Sequence, residues 1–397
     1  MTLRPRIVCL VPLPPPATGQ SVVTQTICAA LAAHADVVVV DTADQAAVWR
    51  RPGTLPSARV RAWAVRLGEW RALVAPGPSR RGPAARVPAA VYLTPASSLL
   101  GLFRDAAALA LVPAGVRVVA HIHVGDYGRL LGAPVWGALA RRTLARFDRV
   151  FVPSAYAAAG IRAAAPGVRV EVVPNPVPAD VQFTEDEAAD ARAARAGQTP
   201  HVLFLSNMIP SKGYGLLADA LALLAAGGGA FRATFAGAWG SAPERAAFAA
   251  RLAALGLADR TAVLGAVARA DVRALLASAD VLAFPSTYPH ESFGLVVLEA
   301  MGAGVAVVAV RHAAAGELVR DGLDGRLVEA TPAALALGLA DALAHRDAYG
   351  ASAAVRARGA FAPEPLTATF VAAILGDGIL GEGARAASPI FRSPTDP

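Results

Sequence analysis

Two carboxylates eight residues apart, Glu291 and Glu299, and a solitary ammonium, Lys212, are the groups in this chain whose types and spacing point to chemistry. The acids sit within FPSTYPHESFGLVVLEAMGAG, residues 284–304. A short apolar strand, Val281 to Phe284, leads into a polar loop, and a nearly all-apolar helix follows with Leu295, Val296, Val297, Leu298 and Met301. A helix apolar on every side is expected to be buried, and Glu299 in its middle would be costly without a partner. Were every intervening residue helical, the two acids would lie roughly 12 Å apart along the axis, one at the helix mouth and one inside. Between them Ser292, Phe293 and Gly294 offer backbone N–H groups at a helix N-terminus, with Leu295 next, an arrangement that suits an anion. Phosphate held between two hydroxyl-gripping carboxylates describes a nucleotide sugar. The plainer alternative leaves Glu291 as a helix-start acid and Glu299 as a satisfied core carboxylate.

Lys212 is the only lysine, against 36 arginines, so a general preference for arginine does not account for it. It lies in Ser206-Asn207-Met-Ile-Pro210-Ser-Lys212-Gly213, between a predicted strand (201–205) and a helix reaching about residue 226. A compact ammonium just before a helix is suited to a diphosphate; the alternative is an exposed helix-start lysine. Further upstream, a strand at 117–120 runs into His121-Ile-His123-Val-Gly-Asp126-Tyr127. Loops at the carboxyl ends of strands in doubly wound sheets line the ligand crevice. That placement favours a ligand contact for His123, whereas His121, still on the strand, reads as a core residue.

The segment from Glu291 through Glu299-Ala-Met-Gly to Gly304-Val-Ala-Val-Val-Ala resembles the signature of glycosyltransferase family 4, the "glycosyl transferases group 1". The resemblance is dense in the C-terminal half and thinner in the N-terminal half. It implies the GT-B architecture: an α/β fold of two facing Rossmann-like doubly wound domains with an interdomain cleft. By the same match, Glu291 holds sugar hydroxyls, Glu299 holds the nucleotide ribose, and Lys212 binds phosphate. The family usually carries an Arg five residues before that lysine; here Asn207 stands in its place and removes one cation. His123-Val-Gly-Asp-Tyr resembles the family's histidine–glycine loop, which contacts the transferred sugar from across the cleft. Gly19, the single glycine of PLPPPATGQS, occupies a loop that often carries two glycines near the donor phosphates and the acceptor. Val172-Val-Pro174-Asn175-Pro176-Val-Pro178 matches the family's P-N crossover between domains. Arg311-His312-Ala-Ala-Ala-Gly316-Glu317 replaces a glycine-rich turn and keeps only its end.

These residues require alternating strands and helices in two sheets, and 397 residues suffice for two cores. The expected division is 1–180 on the acceptor side and 181–363 binding the nucleotide sugar, with a helix at 364–375 returning to the first domain and a disordered tail at 376–397. Strands are expected at 7–11, 37–40, 89–93, 117–121, 149–152 and 169–173 in the first half. A helix is expected over about 132–146. A hydrophobic content of 55% places the chain among globular proteins. Two cysteines, Cys9 and Cys28, form no disulfide framework or metal-ligand spacing, which fits a reducing cytoplasm. The apolar run near the N-terminus is short and broken by Pro12, against a cleaved signal peptide. No stretch supplies 18 uninterrupted apolar residues, so no membrane span is expected.

The net charge of +7 is uneven: residues 1–180 hold 20 Arg against 9 acids, which leaves the remainder net acidic. A basic first half suits an anionic acceptor or peripheral contact with the inner membrane face; solvated arginine is the other reading. Arg61, Trp63, Arg66, Glu69, Trp70 and Arg71 allow one helix, lying either on a membrane or with its tryptophans packed inward. No motif points to nucleic acid.

The expected chemistry is retaining sugar transfer from a nucleotide-diphosphate sugar, a substrate rather than a cofactor, to a hydroxyl on a saccharide or lipid-linked acceptor. His123, Lys212 and Glu291 would carry it, with no metal. A nucleotide-sugar epimerase of the same fold and a non-catalytic donor-binding subunit are the rivals; neither would release nucleoside diphosphate in step with acceptor glycosylation.

Overall fold

The computed structural model describes residues 4–43, 57–75 and 86–376. The chain forms two compact units: one runs to Pro176 and resumes at Glu364, and the other is Val177–Pro363. GPSRRGP, residues 77–83, whose glycines and prolines read as an exposed loop, and the tail expected to be disordered beyond Gly376 lie outside the described residues.

In the first unit the elements are β1 (Arg6–Val11), α1 (Gly19–Ala32), β2 (Asp36–Asp41), α2 (Ser57–Val74), β3 (Ala90–Leu93), α3 (Leu99–Ala110) and β4 (Arg117–His121). They continue with α4 (Tyr127–Leu131), α5 (Gly137–Leu144), β5 (Arg149–Val152), α6 (Ala155–Ala164) and β6 (Val170–Val172). Its sheet is six-stranded and parallel, ordered β2-β1-β3-β4-β5-β6. Every residue of β1 and β3 is buried, as strands covered on both faces by helices must be. Helix starts are written in the sequence. Thr18 and Ser21 form a capping box on α1, and Ser98 and Ser154 cap α3 and α6.

The helix expected at about 132–146 is the shorter α5; α4 precedes the expected range, and Gly132–Trp136 between the two is not helical. Pro134 lies in the break; its ring and missing N–H oppose a continuous helix there. On α2, Trp70 is fully buried and its indole N–H donates to the Ala108 carbonyl at 2.9 Å. That tryptophan serves the core.

The second unit comprises α7 (Glu185–Arg195), β7 (His201–Leu205), α8 (Tyr214–Ala226), β8 (Arg232–Ala236), α9 (Ala242–Ala254), β9 (Thr261–Gly265) and α10 (Arg269–Ala277). There follow β10 (Val281–Phe284), α11 (Leu295–Gly302), β11 (Ala306–Val310), α12 (Ala315–Leu318), β12 (Gly325–Val328), α13 (Pro332–Ala344) and α14 (Arg346–Ala360). Its six parallel strands are ordered β12-β11-β10-β7-β8-β9. The stretch read as an altered turn at 311–317 runs into the short helix α12. A last helix, α15 (Pro363–Leu375), belongs to the first unit from Glu364 onward. There the Phe370 ring packs 4.7 Å from His121 and 5.0 Å from Phe151. Among the described residues, no helix is long and apolar enough to cross a membrane.

Candidate active site

In the second unit the chain lays down β7, β8 and β9 outward on one side, then returns to place β10 on the other flank of β7. The strand order thus reverses between β7 and β10, and the loops leaving their carboxyl ends form the ligand crevice of such a sheet. Lys212 lies on the β7 loop and Glu291 on the β10 loop. Lys212 Nζ is 2.6 Å from Glu291 Oε2, both side chains being largely buried (15% and 12% exposed). The Ser286 hydroxyl donates to the same oxygen at 3.1 Å. The ammonium also sits 4.6 Å from the centre of the Tyr288 ring, a favourable cation–π placement. His312, two residues past β11, donates through Nε2 to the Tyr288 carbonyl at 3.1 Å. Ser286, Tyr288 and His312 had no distinguishing signal in the sequence.

The two loops are stitched together by backbone. Thr287 N–H donates to the Ser211 carbonyl at 2.8 Å. Asn207, on the first loop, is half-buried and accepts at its carbonyl from Ile209 N–H at 2.8 Å. Gly237, just after β8, and Gly265, the last residue of β9, are joined by a 2.7 Å hydrogen bond from Gly237 N–H to the Gly265 carbonyl.

Beyond Glu291, Ser292 is half-buried, and Phe293 is buried with its ring edge-on to Phe361 at 6.2 Å. Gly294 caps α11 in the left-handed region (φ 90°), so no side chain caps the helix. Leu295 opens the helix, half-buried. Val297 N–H is taken by the Gly294 carbonyl at 2.9 Å.

Glu299 is 4% exposed, as the all-apolar surroundings required. Its partner is Arg269 at the start of α10, whose Nη1 lies 2.7 Å from Oε1. The same guanidinium grips Asp180 with its other two nitrogens, at 2.6 and 2.8 Å. Burial holds the Glu299 carboxyl above the ordinary carboxylate range despite the arginine beside it. The hydrogen bonds from Arg269 pull the more exposed Asp180 below its usual value. Among 36 arginines nothing in the sequence singled out Arg269.

Gly19 and His123 belong to the first unit. Gly19 is exposed as the first residue of α1, on the loop after β1, next to the β1–β3 position where that sheet changes direction. His123 follows β4, and its ring lies 3.8 Å from that of His121. The Tyr92 hydroxyl and His121 Nδ1 are 3.1 Å apart. Nε2 of both histidines is buried with no hydrogen-bond partner among the described residues, an arrangement that calls for explanation. Burial lowers His123 to about 3 and pushes His121 well below its usual value, helped by its neighbour. His123 is therefore neutral at physiological pH, a hydrogen-bonding imidazole and not a cation.

That neutrality has a measurable consequence. The unfolded chain takes up protons on these rings below about pH 6.5 while the folded chain resists, so their contribution is whole above pH 6.5 and drains away toward pH 3. The His123 ring is expected to cost about 2 kcal/mol of stability between pH 7 and pH 5. Urea unfolding at the two pH values checks this: His123→Asn should lose about 2 kcal/mol less than wild type on acidification, and an equal loss refutes it.

Two parallel doubly wound units joined through a proline-rich crossover define the GT-B architecture, and solved structures are similar to this chain over nearly all of its length. A sucrose-phosphate synthase from Thermosynechococcus elongatus superposes with a TM-score of 0.70 at 19% identity, covering 92% of this chain and 97% of that one. Anabaena Alr3699/HepE, solved in complex with UDP and glucose, gives 0.65 at 20% identity over 92% and 98%. A glycosyltransferase from Rickettsia africae ESF-5 gives 0.66 at 14% identity over 94% and 99%. Residues 185–356 match the model of the glycosyl transferases group 1, and residues 17–181 match that of Glycosyltransferase Family 4. The chain belongs to these group 1, family 4 glycosyltransferases. A search of curated protein sequences finds no match.

Proposed function

We propose that the protein transfers a sugar from a nucleotide-diphosphate donor to an acceptor hydroxyl with retention of anomeric configuration and without a metal. The reading rests on one observation above the others: Lys212 and Glu291 meet at 2.6 Å where the second sheet reverses its strand order. Fixed positive charge at that position suits a departing diphosphate. Lys212, with backbone N–H groups around Ser292–Leu295, stabilises it; Asn207 lines the same loop without adding charge. Glu291 orients the hexose, Glu299 the ribose, and neutral His123 a sugar hydroxyl. Gly19 borders the acceptor side. Attack comes from the face the diphosphate leaves, with no covalent nucleophile. The acceptor is a saccharide or a lipid-linked sugar in bacterial polysaccharide or glycolipid assembly, reached in the cytoplasm or at the inner membrane face. The complexes of Alr3699/HepE with UDP, glucose and UDP-glucose make UDP-glucose the first donor to try.

Thermal unfolding of the purified protein with UDP-, GDP- and ADP-sugars tests donor use. A true donor at a hundredfold excess over its Kd stabilises by about 2.7 kcal/mol, a melting shift of several degrees. Release of nucleoside diphosphate must then depend on acceptor, persist in EDTA, and yield product with the donor's anomeric configuration. Stabilisation by no donor overturns the proposal, donor binding without turnover favours a binding subunit, and inversion removes the retaining assignment.

A further inference from the structure

We propose that Arg269 and Asp180 are positioning residues for the nucleotide ribose, acting through Glu299; this rests on the reading of Glu299 given above. Glu299 lies within an apolar helix, and a carboxylate there needs a fixed partner to keep one orientation. Arg269 supplies it from another element, and its planar fork is held in turn by both oxygens of Asp180. A guanidinium gripped on two nitrogens has little freedom to swing, so its third nitrogen points consistently at Glu299 Oε1. One carboxylate oxygen is thereby engaged and the group is pinned, which leaves Oε2 to accept from a ribose hydroxyl. Burial raises the affinity of Glu299 for a proton, and the arginine beside it opposes this.

Asp180 is itself held in place. Arg273, one turn after Arg269 on α10, pairs with Glu187 at 2.7 Å, donates to the Gln182 carbonyl at 3.2 Å and lies 4.3 Å from the Phe183 ring. Two arginines of one helix thus clamp residues 180–187, the stretch that opens the second unit, and one of them extends the clamp to Glu299. Neither Arg269 nor Asp180 touches the sugar or the diphosphate in this assignment. Their loss should weaken recognition of the ribose hydroxyls and leave the rate at saturation nearly unchanged.

The test compares binding of UDP with 2′-deoxy-UDP and 3′-deoxy-UDP to wild type, Arg269→Ala, Arg269→Lys and Asp180→Asn, by calorimetry; the corresponding GDP or ADP pairs replace them if the donor screen so directs. A hydrogen bond to a charged acceptor makes wild type prefer the ribonucleotide by about 10- to 100-fold over at least one deoxy form. Arg269→Ala should compress that preference to about threefold or less, with donor KM raised by about tenfold or more and kcat within about threefold. Asp180→Asn should fall between, and Arg269→Lys should restore part of the preference. Should Arg269→Ala fail to fold, Asp180→Asn and Arg269→Lys carry the same readout. A wild type that does not discriminate removes the ribose role of Glu299 itself. A wild type that discriminates while the folded variants keep its full preference overturns the positioning role alone.

Discussion

Lys212→Ala is expected to lower the transfer rate at saturating donor by about 10²- to 10³-fold, the usual effect of removing one preorganised charge or donor aimed at a developing anion. By the resemblance, Asn207 stands in the same loop where the family pattern carries an arginine, which leaves Lys212 with less positive charge in reserve. The substitution also leaves Glu291 without its 2.6 Å partner, although the Ser286 hydroxyl still donates to it. The fold should survive, because both side chains lie on loops at the carboxyl ends of the central strands and not inside a hydrophobic core. Lys212→Arg should recover activity only in part, since a planar fork cannot reproduce a compact ammonium seated over the Tyr288 ring. Nucleoside diphosphate release, with circular dichroism as the control on folding, measures the effect. Activity within tenfold of wild type for a folded Lys212→Ala would remove Lys212 from the chemistry.

The neighbouring glycine should be almost as intolerant, for a steric reason. Gly213 adopts φ 86°, and a Cβ built there would lie 2.2 Å from the Pro285 carbonyl oxygen. Alanine would meet a left-handed backbone penalty of about 1–2 kcal/mol, and the clash adds to it. The only relief is to separate the Lys212 loop from the Glu291 loop, which strains the Thr287–Ser211 hydrogen bond and the ion pair beside it. Gly213→Ala should therefore cost about 2–4 kcal/mol in urea unfolding, with activity falling by up to about 10²-fold through misplacement of the two side chains. Gly215, two residues later inside α8, has nothing within 4 Å of the equivalent position. Gly215→Ala should be neutral or mildly stabilising. Equal behaviour of the two variants would show that the close approach at Gly213 does not constrain the loops.

Much of this arrangement could be read from the residues. Wholly apolar runs such as IVCLV and AVVAV announce strands covered on both faces, and Thr18, Ser98, Ser154 and Thr184 mark helix starts, because these signals act over a few residues. A helix start at 132 is too early, because Ala- and Leu-rich sequence masks the effect of Pro134, and the five-residue α4 before it is too short to show a period. The meeting of Lys212 with Glu291 depends on which strands become neighbours, 79 residues apart in sequence, and the resemblance supplied that, not periodicity. Glu299's need for a partner was legible from its apolar helix. The partner was not, since Arg269 comes from another helix and looks like any other arginine until the sheet is assembled.

The first unit is closed by a helix that reaches it only after the chain has completed the second. Phe370 covers the imidazole of His121 and the ring of Phe151, so this cover is encoded more than two hundred residues downstream of the strands it shields. On the ribosome the N-terminal half must therefore wait, with that side of its sheet uncapped, until almost all of the polypeptide has emerged. Dissecting the enzyme calls for a spliced fragment carrying 364–376 after Pro176, because a simple cut at the crossover would strip the sheet of its own lid.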